Sequence, residues 1–518
     1  MRLPANRTAQ QDRSVQSVAM RDDAPLWLFG DQLGPHFHSG PEHRHREIVL
    51  IESTSALTRR PCHRQKLHLV LSGMRHLADE LGSRARIVRA DTYRAALREL
   101  GTPVVVHEPG SHAAAALVNS MSDEGLVREV VPTAGFARSK DSFARWARAQ
   151  RRFRMEDFYR DQRQKFDVLM EPGGSPAQGR WNFDSENRHR PPKNASDLGV
   201  PVPWHPREDS VDDQVRGDLD QWERDGALRA IGADGPRLFA VTRTEARAAL
   251  RRFLHYRLPE FGPYQDAMLD ADWSMAHALL SVPMNLGLLE PLEVTRAAER
   301  EYRSGKAPLS SVEGFIRQVL GWREYVWHLY WHFGPSYLRA NELNATRPLP
   351  EWWKELDGDQ LDAECLRVAL NGVRDRGWAH HIQRLMVLGN HALQRDYRPA
   401  ELTEWFATAF VDGFPWVMPV NVIGMSQHAD GGRVATKPYA SGGAYINRMS
   451  DSCRSCRFDP AQRVGEDACP FTAGYWAWMH RHEKQLRGNH RMRQPLATMR
   501  GLADLDAIDR QERGRHEF

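Results

Sequence analysis

The hydrophobic pattern of this chain changes once, and that change restricts the possible folds more than any other feature. Between residues 25 and 107, short apolar runs alternate with amphipathic helical segments, which is typical of a parallel α/β sheet. From Thr244 onward, apolar residues follow the helical period and strand patterns nearly disappear. The sequence therefore predicts an α/β domain followed by an all-α domain, and 518 residues are enough for both.

Composition divides the chain into four segments. Residues 1–24 are polar and lack the apolar stretch of a secretory signal, so we expect a flexible N-terminal extension. Residues 25–170 form the predicted Rossmann-like parallel-sheet domain, 171–243 a long interdomain connector rich in Pro, Gly and charge, and 244–518 the all-α domain. No apolar run is long enough to span a membrane. Five cysteines are too few for a disulfide framework in a chain of this length, which favours a cytoplasmic protein with reduced thiols.

Amphipathic faces predict the helices of the second half. They fall near residues 244–256, 264–270, 274–280, 291–304, 311–333, 362–374, 378–394, 401–411 and 471–487, and residues 143–170 are predicted as one basic helical segment before the connector. Basic runs at 145–154 and 481–493 could bind phosphates or could be solvated helix faces. The net charge of +4 does not decide between these two interpretations.

Three cysteines near the C-terminus form the most specific metal-binding pattern. Cys453, Cys456 and Cys469 follow the spacing C-x2-C-x12-C-P, and Cys365 is the only other cysteine in the predicted all-α domain. Four thiolates suit either tetrahedral zinc or a [4Fe–4S] cluster. A fourth ligand about 90 residues upstream is unlike a compact zinc module. The pattern favours the cluster, with zinc and plain reduced thiols as alternatives; Cys62 lies in the first domain.

Two helical segments carry candidate binding or catalytic residues. In the first, Arg317, Trp322 and Arg323 offer donors and a stacking plane to a flat phosphorylated ligand, although a core helix with salt bridges would look the same. In the second, His380 and His381 are adjacent and point about 100° apart, so at most one faces a given site. Such a histidine is either structural or a proton donor near neutral pH. Sixteen tryptophans serve as core packing or, near a redox cofactor, as oxidisable groups.

Several motifs in order resemble one known family. They are Arg180-Trp-Asn-Phe-Asp-x-Glu-Asn-Arg188, the segments 314–325, 379–386 and 422–432, and Thr-Lys-Pro-Tyr-x4-Ala-Tyr-Ile-Asn-Arg-Met-Ser-Asp451. On these motifs, residues from about 27 to about 498 resemble the prokaryotic (6-4) photolyases, the iron–sulfur branch of the photolyase/cryptochrome family. The resemblance implies an α/β antenna domain, a long connector, and an all-α C-terminal photolyase domain that binds FAD.

The same resemblance implies cofactors and a reaction. The cofactors are FAD, a [4Fe–4S] cluster held by Cys365, Cys453, Cys456 and Cys469, and a 6,7-dimethyl-8-ribityllumazine antenna chromophore. The reaction is light-driven electron donation from reduced FAD to a (6-4) photoproduct flipped out of UV-damaged DNA, with a histidine as proton donor, in a monomeric protein. The alternatives are cryptochrome-type blue-light signalling without repair and repair of cyclobutane dimers, which needs no dedicated proton donor.

Site roles follow residue by residue from the resemblance. The catalytic and lesion-pocket residues are His381, His380, Tyr439, Tyr445 and Met425. The FAD-binding residues are Tyr264, Ser281, Asn285, Arg317, Trp322, Arg323, Arg384, Asp412 and Met418. Electron transfer is assigned to Trp405 nearest the flavin, with Trp352 or Trp353 as the distal tryptophan. The antenna residues are Gly30, Asp31, Gln32, Glu52 and Glu108.

This chain departs from the family pattern at several of its sites. Phe406 stands where relatives can have a more oxidisable tyrosine, so photoreduction is expected to be slower or to take another route. Met418 stands where related proteins often place a carboxylate or amide near the flavin's reactive ring nitrogen. Ala56, Arg59 and His112 stand where larger aromatic or acidic contacts to the antenna chromophore are expected.

Overall fold

The first domain is built on a parallel sheet, as predicted. The computed structural model describes residues 23–516 and 518, so the predicted N-terminal extension lies almost wholly outside the described residues. The strands are β1 (Leu26–Leu28), β2 (Ile48–Ser53), β3 (Cys62–His63), β4 (Ala85–Ala90), β5 (Val104–His107), β6 (Val127–Val131) and β7 (Ala230–Ile231). The main sheet has the order β4-β2-β1-β5-β6 with every pair parallel. Its central strands are buried on both faces, which explains their uninterrupted apolar runs.

Helices cover both faces of this sheet. They span Pro35–His38, Thr54–Thr58, Arg64–Leu81, Tyr93–Leu100, His112–Asp123, Lys140–Arg148 and Met155–Phe166, with a 3-10 turn at Gly82–Arg84. The prediction of one helical segment over 143–170 is wrong, because residues 149–154 separate two helices. Four arginines lie within the seven residues 148–154, and repulsion between like charges weakens a helix there.

The connector is partly a folded layer on the first domain. It contains the helix Ser210–Arg224, two 3-10 turns at Ala177–Gly179 and Asp184–Glu186, and β7. β7 pairs in parallel with β3. The Arg64 guanidinium forms ion pairs with Asp220 and Glu223 of the connector helix, so this helix is fixed against the first domain.

The second half is helical and includes three π-helices. Its α-helices are Arg243–Tyr256, Leu258–Tyr264, Ser281–Asn285, Pro291–Arg303, Leu309–Ile316, Glu324–Phe333, Glu351–Lys354, Glu364–Arg376, Asn390–Gln394, Pro399–Ala409, Gly443–Met449, Pro470–Arg481, Glu483–Leu486, Arg493–Arg500 and Leu505–Gly514. The π-helices are Arg317–Arg323, Gln383–Gly389 and Val420–Ser426. Short 3-10 turns lie at Pro335–Arg339, Gly358–Gln360, Ser452–Arg454 and His490–Met492. Among the described residues, every helix is too short or too polar to cross a membrane.

The predicted helices at 264–270 and 274–280 are wrong, and side-chain hydrogen bonds explain why. The carboxylate Oδ1 of Asp272 accepts hydrogen bonds from the amides of Ser274 (3.2 Å) and Met275 (2.9 Å). The Arg257 guanidinium donates to the carbonyl oxygens of Ser274, Met275 and His277. These bonds satisfy backbone groups that a helix would otherwise pair, so the segment after residue 264 is irregular.

Side chains of β3 and the following helix bind backbone carbonyls of the helical domain. The buried ammonium of Lys66 donates to the carbonyl oxygens of Ala407 (2.6 Å) and Gly413 (2.7 Å). The ring nitrogen Nε2 of His63 lies 2.9 Å from the carbonyl oxygen of Val373. The Ala407 carbonyl lies in the last turn of Pro399–Ala409, where helix carbonyls lack intrahelical partners. Gly413 lies in the following loop, and the Val373 carbonyl also accepts from the Gly377 amide at 2.7 Å. The two domains therefore complete each other's hydrogen bonding.

Candidate active site and cysteine centre

The three π-helices carry candidate site residues. Arg317, Trp322 and Arg323 lie in the first, Arg384 in the second and Met425 in the third. A π-helix inserts one extra residue per turn and is found mainly at functional sites, since it redirects side chains at a cost in helix stability. The hydrophobic pattern predicts ordinary α-helices at these positions, so the π-helical backbone that carries these residues is seen only in the structure.

Arg384, Asp412 and Asn285 meet at one point. The Arg384 guanidinium forms a two-pronged ion pair with the Asp412 carboxylate, with nitrogen–oxygen distances of 2.8 and 3.1 Å. The Asn285 side-chain amide donates to the Asp412 carbonyl oxygen at 3.1 Å. The guanidinium also stacks over Phe410 at 4.3 Å. Three residues that sequence assigns to FAD binding are thus held in one rigid group.

Arg317 is buried, and the protein does not use all of its guanidinium N–H donors. Its guanidinium lies 3.2 Å from Asp184 and 3.5 Å from Glu313. Its Nη2 atom has no hydrogen-bond partner among the described residues. A buried, unpaired guanidinium nitrogen is costly unless a ligand satisfies it. The arrangement fits an anionic ligand such as the diphosphate of FAD.

Arg323 is committed to the interface between the domains. Its Nη1 and Nη2 atoms each donate to a carbonyl oxygen at 3.2 Å, that of Gly135 in the first domain and that of Met284 in the second. The guanidinium lies 4.4 Å from the Phe136 ring and 5.3 Å from the Trp416 ring. Burial lowers the Arg323 pKa to about 10. These contacts describe a structural role, and its assignment to FAD binding stays a prediction.

Glu324, the next residue, is a buried carboxylate at the same interface. It accepts hydrogen bonds from the backbone amides of Ala137 (3.1 Å) and Arg138 (3.2 Å). Its oxygen lies 3.7 Å from Arg323. Burial raises the Glu324 pKa to about 7, and the nearby Arg323 only partly opposes this effect. The sequence analysis did not single out this residue, because its partners are backbone amides about 187 positions away.

The remaining residues assigned to FAD lie on the elements around this group. Tyr264 ends the helix Leu258–Tyr264, Ser281 begins the helix Ser281–Asn285, Trp322 packs edge-on to Tyr325 at 6.2 Å, and Met418 is buried before the third π-helix. The FAD-binding roles of these four residues stay predictions.

The adjacent histidines have different surroundings, as their angular separation predicts. His380 is buried, whereas the His381 side chain is half exposed. The Nε2 atom of His381 lies 3.2 Å from the Asp266 carboxylate. A third histidine, His277, contacts both rings. Sequence reasoning missed His277 because it lies about 100 residues upstream in a segment predicted as a helix.

Tyr445 shares a charged neighbour with His381. Burial raises the Tyr445 pKa to about 12, Asp266 raises it further, and Arg448 and Arg188 oppose this effect. Burial likewise raises the Tyr439 pKa, and Arg188 opposes it. Both rings are only partly buried. Tyr445 and His381 therefore both lie near Asp266, and Arg188 acts on both tyrosines.

An aromatic series leads away from the Arg384 group. The Trp405 ring lies 5.6 Å from Phe410 and 5.3 Å from Trp353, and its indole nitrogen donates to the Trp353 carbonyl oxygen at 3.1 Å. Trp352 follows at 5.4 Å from Trp353 and is partly exposed. Phe406 packs on Trp405 at 5.0 Å. Both tryptophans that sequence left as alternatives for the distal position lie in this series, in the order Trp353 and then Trp352.

The four predicted cluster cysteines come from four separate places in the helical domain. Cys365 lies in the first turn of the helix Glu364–Arg376, and Cys453 in the turn Ser452–Arg454. Cys456 follows in a loop, and Cys469 immediately precedes the helix Pro470–Arg481. Cys62 lies instead in β3, with its sulfur 3.5 Å from the Thr408 carbonyl oxygen.

These four thiols face one another. Burial raises the Cys365 pKa well above its ordinary value, and the Cys469, Cys453 and Cys456 sulfurs raise it further. Burial, followed by Cys469 and Cys456, raises the Cys453 pKa to about 12. Mutual effects of this kind require short separations. Without a metal the Cys365 and Cys453 thiols would stay protonated, whereas metal binding takes up thiolates.

The sulfur spacing suits a group larger than a single ion. Within the described residues, no three of these sulfurs lie within 4.8 Å of one another. Tetrahedral zinc, with Zn–S bonds of about 2.3 Å, would place its sulfurs about 3.8 Å apart. In a [4Fe–4S] cluster each thiolate binds a different iron, which keeps the sulfurs further apart. Gly443 makes room beside the centre, because a Cβ atom there would lie 2.8 Å from the Cys469 sulfur.

Four of the five predicted antenna residues lie close together in the structure. Gly30, Asp31 and Gln32 follow β1, and the Gln32 amide donates to the Glu108 carbonyl oxygen at 3.2 Å. Burial raises the Asp31 pKa to about 6. Glu52 differs, because its carboxylate is buried in ion pairs with two arginines, Arg75 (2.8 Å) and Arg89 (3.1 Å).

Comparisons with known proteins agree with one another. The family described as "Deoxyribodipyrimidine photo-lyase-related protein" matches residues 26–226. The (6-4) photolyase of Agrobacterium fabrum is 39% identical over 501 residues, which are 92% of this chain and 95% of that protein.

Two solved structures share the fold. A crystal structure described as a bacterial class III photolyase from Agrobacterium tumefaciens has a TM-score of 0.53 and 16% identity, covering 93% of this chain and 100% of that one. The Synechocystis cryptochrome has a TM-score of 0.56 and 13% identity, covering 92% of this chain and 98% of that one. At such identities the likeness shows the fold alone.

Proposed function

This chain belongs to the (6-4) photolyase family, and we propose that it repairs (6-4) pyrimidine–pyrimidone photoproducts in UV-damaged DNA by using light. The observation that carries the proposal is the half-exposed His381, paired at 3.2 Å with Asp266, a carboxylate that also acts on the candidate lesion-pocket residue Tyr445. A half-exposed imidazole beside a carboxylate suits proton transfer to a bound base. We expect the protein to act as a monomer in the cytoplasm.

We assign each residue of this region a separate role in repair. The lesion must leave the base stack to reach a buried group, and a distorted lesion costs less to extrude than an intact pair. Tyr439 and Tyr445 offer ring faces to the extruded bases, while Arg188 offers charge to the DNA backbone. His381 donates the proton that the reduced lesion needs. Reduced FAD, when bound and excited by light, supplies the electron.

We assign FAD binding first to Arg384, Asp412, Asn285 and Arg317. The Arg384–Asp412 ion pair gives fixed donors and acceptors, and the unpartnered Nη2 of Arg317 can bind a phosphate oxygen. Arg317 and Arg384 lie on π-helices, which supports a functional rather than a packing role.

We propose that Cys365, Cys453, Cys456 and Cys469 bind a [4Fe–4S] cluster. The influence of the other three thiols on Cys365 supports a shared site, and the absence of any three of these sulfurs within 4.8 Å of one another among the described residues favours the cluster over zinc. The cluster would join the helix Glu364–Arg376, which precedes the histidine pair, to the C-terminal segment. Its first role in this proposal is structural.

We propose that Trp405, Trp353 and Trp352 carry electrons from the surface to the flavin site. Ring separations of 5.3 and 5.4 Å make the series continuous. We further propose that Gly30, Asp31, Gln32 and Glu108 contact a lumazine antenna. Glu52 contributes through Arg75 and Arg89 to the shape of that domain and not through the chromophore.

The decisive experiment is repair of an oligonucleotide that contains one (6-4) photoproduct. Protein with chemically reduced FAD should restore the bases under blue light, and His381→Ala should lower the rate by about 10²–10⁴-fold, the usual contribution of a proton donor. His255→Ala removes an exposed histidine elsewhere and should have no effect. Photoreduction of FAD without repair would support signalling instead. Repair of a cyclobutane dimer but not of the (6-4) photoproduct would show that the cyclobutane dimer is the substrate.

A further inference from the structure

A loop of the first domain carries several arginines without carboxylate partners. It covers residues 149–154, between the helices Lys140–Arg148 and Met155–Phe166. The exposed arginines of this loop, with the one that ends the helix before it, are Arg148, Arg151, Arg152 and Arg154. Among the described residues, none of these four guanidinium groups forms an ion pair, whereas the nearby Arg160 pairs with Glu156. Like charges so close together repel one another, and an external anion would relieve that repulsion.

Two contacts hold this loop against the helical domain. The Arg152 guanidinium donates to the Gly432 carbonyl oxygen at 3.3 Å. The Phe153 ring packs against Phe333 with a centroid distance of 6.0 Å, and the Arg433 guanidinium lies 4.1 Å from the centre of the same Phe333 ring. The loop and Arg433 are therefore neighbours in space, although Arg152 and Gly432 are 280 positions apart in the chain.

Asp430 fixes the backbone of the segment that the loop contacts. Its buried carboxylate accepts hydrogen bonds from the amides of Gly432 (2.9 Å), Arg433 (3.2 Å) and Val434 (3.1 Å). It also accepts one from the Tyr337 hydroxyl at 2.8 Å. These donors satisfy the Asp430 charge, whereas the Arg433 guanidinium is exposed and forms no ion pair within the described part of the chain. The segment therefore presents a cation to solvent on a rigid backbone.

The second basic run of the sequence, residues 481–493, reaches the same segment further along. The Asn489 side-chain amide donates to the Thr436 carbonyl oxygen at 3.0 Å. Burial raises the Tyr439 pKa, and Arg491 is one of two arginines that oppose this effect, so Arg491 lies near that ring. Lys437 and Arg491 are both exposed. Both basic runs therefore lie along residues 430–440, which end beside the candidate lesion pocket.

These cations form one basic strip across both domains, which we define as Arg151, Arg152, Arg154, Arg433, Lys437 and Arg491. We propose that the basic strip binds the phosphates of the undamaged duplex on one side of the lesion, so that the first domain holds DNA directly. This inference rests on the proposed function. A DNA duplex carries one negative charge for about every 1.7 Å of its axis, and exposed cations that neutralise its phosphates add affinity without sequence preference. The exposed Glu342 borders the strip beside Gly431, which leaves the strip with a clear excess of positive charge.

The test is the salt dependence of DNA binding by the purified holoprotein in the dark. The variant Arg151→Ser/Arg154→Ser removes two exposed charges and leaves the Arg152 bond to Gly432 in place. Each lost phosphate contact lowers the slope of log affinity against log salt by about 0.9. Between about 50 and 200 mM salt, wild type should therefore lose about 10-fold more affinity for an undamaged duplex than this variant does. The matched control Arg296→Ser/Arg300→Ser removes two exposed arginines of the helix Pro291–Arg303 and should behave as wild type.

Duplexes that contain one (6-4) photoproduct locate the contact. When the arm on one side of the lesion is shortened, wild type should lose affinity and Arg151→Ser/Arg154→Ser should not, so that the two proteins become equal. Shortening the other arm should affect both proteins alike. Arg151→Ser/Arg154→Ser should also need more of the full-length duplex for half-maximal repair under blue light.

Three results would overturn the proposal. One is equal salt dependence of DNA binding in Arg151→Ser/Arg154→Ser and wild type. Another is an equal decrease in the control variant, which would show an effect of net charge alone. The third is a larger loss of affinity for polyglutamate than for DNA at the same salt, which would assign the basic strip to an acidic protein. If wild type fails to repair the (6-4) photoproduct, the proposed function fails, yet binding of the undamaged duplex still decides whether the strip binds DNA.

Discussion

Asp412→Asn is the sharpest test of the flavin site, because it removes one charge from a nearly buried pair and leaves the shape intact. The Asp412 side chain is 6% and the Arg384 side chain 18% exposed. Their two hydrogen bonds measure 2.8 and 3.1 Å. The asparagine can satisfy only one of them as an acceptor and presents an NH₂ group to the other guanidinium nitrogen.

The expected cost follows from the burial. Leaving one partner of a buried ion pair alone costs about 3–5 kcal/mol, and the partial exposure of Arg384 places this site near about 3 kcal/mol. At about 2 °C for each kcal/mol in a large domain, the apparent Tm should fall by about 6 °C. Glu351→Gln removes a carboxylate from an exposed pair with Lys354 and should cost less than about 1 kcal/mol.

The assay measures thermal unfolding and the ratio of flavin to protein. Asp412→Asn should purify with less FAD, and the Tm loss should be present in flavin-free protein as well. The double variant Arg384→Met/Asp412→Leu, which replaces the pair with apolar groups, should regain most of the Tm but not the FAD. Normal Tm and full FAD in Asp412→Asn would refute the reasoning.

Three further predictions concern other parts of the molecule. Trp353→Phe should remove most light-driven reduction of FAD while leaving repair by chemically reduced enzyme intact, whereas Trp478→Phe, also fully buried, should leave photoreduction unchanged. Cys365→Ser should lose the broad cluster absorption, the iron and several degrees of Tm, whereas Cys62→Ser should keep all three. Burial raises the Glu324 pKa from 4.5 to about 7, so its stabilising protonated state is full below about pH 4.5 and is lost as pH rises through 7. Relative to Glu324→Gln, wild type should therefore lose about 3 kcal/mol of unfolding free energy between pH 4 and 8, a difference that calorimetry of both proteins at the two pH values should measure.

The first domain could be predicted because each of its signals is local. The apolar runs at residues 47–52 and 102–107 predict strands, and the structure has β2 (Ile48–Ser53) and β5 (Val104–His107). The helical pattern over residues 65–81 predicts a helix, and the structure has Arg64–Leu81. Strand alternation and helix periodicity depend on neighbours along the chain. The parallel direction of the strands also follows from the sequence, because a helix lies between successive strands.

The site could not be predicted where hydrogen bonds from distant side chains override the local hydrophobic pattern. The segment that carries His277 has a helical pattern, yet Asp272 and Arg257 bind its backbone and make it irregular. The π-helix at Arg317–Arg323 interrupts a helix whose period looks regular in sequence. The motifs identified Arg384 and Asp412, but only the structure gives their pairing. Arg323 was assigned to the flavin, and its interface contacts could not be deduced from spacing.

The Lys66 ammonium, which donates to the carbonyls of Ala407 and Gly413, has a consequence for how the two domains can change over evolutionary time. Gly413 follows Asp412 directly, so a side chain of the first domain binds the loop that carries the Asp412 carboxylate, the partner of Arg384. Gln65 adds a bond to the Asp375 carbonyl oxygen at 2.7 Å. A helical domain grafted onto a foreign first domain would lose these donors. The two halves of this protein are therefore expected to have been inherited together rather than exchanged as modules.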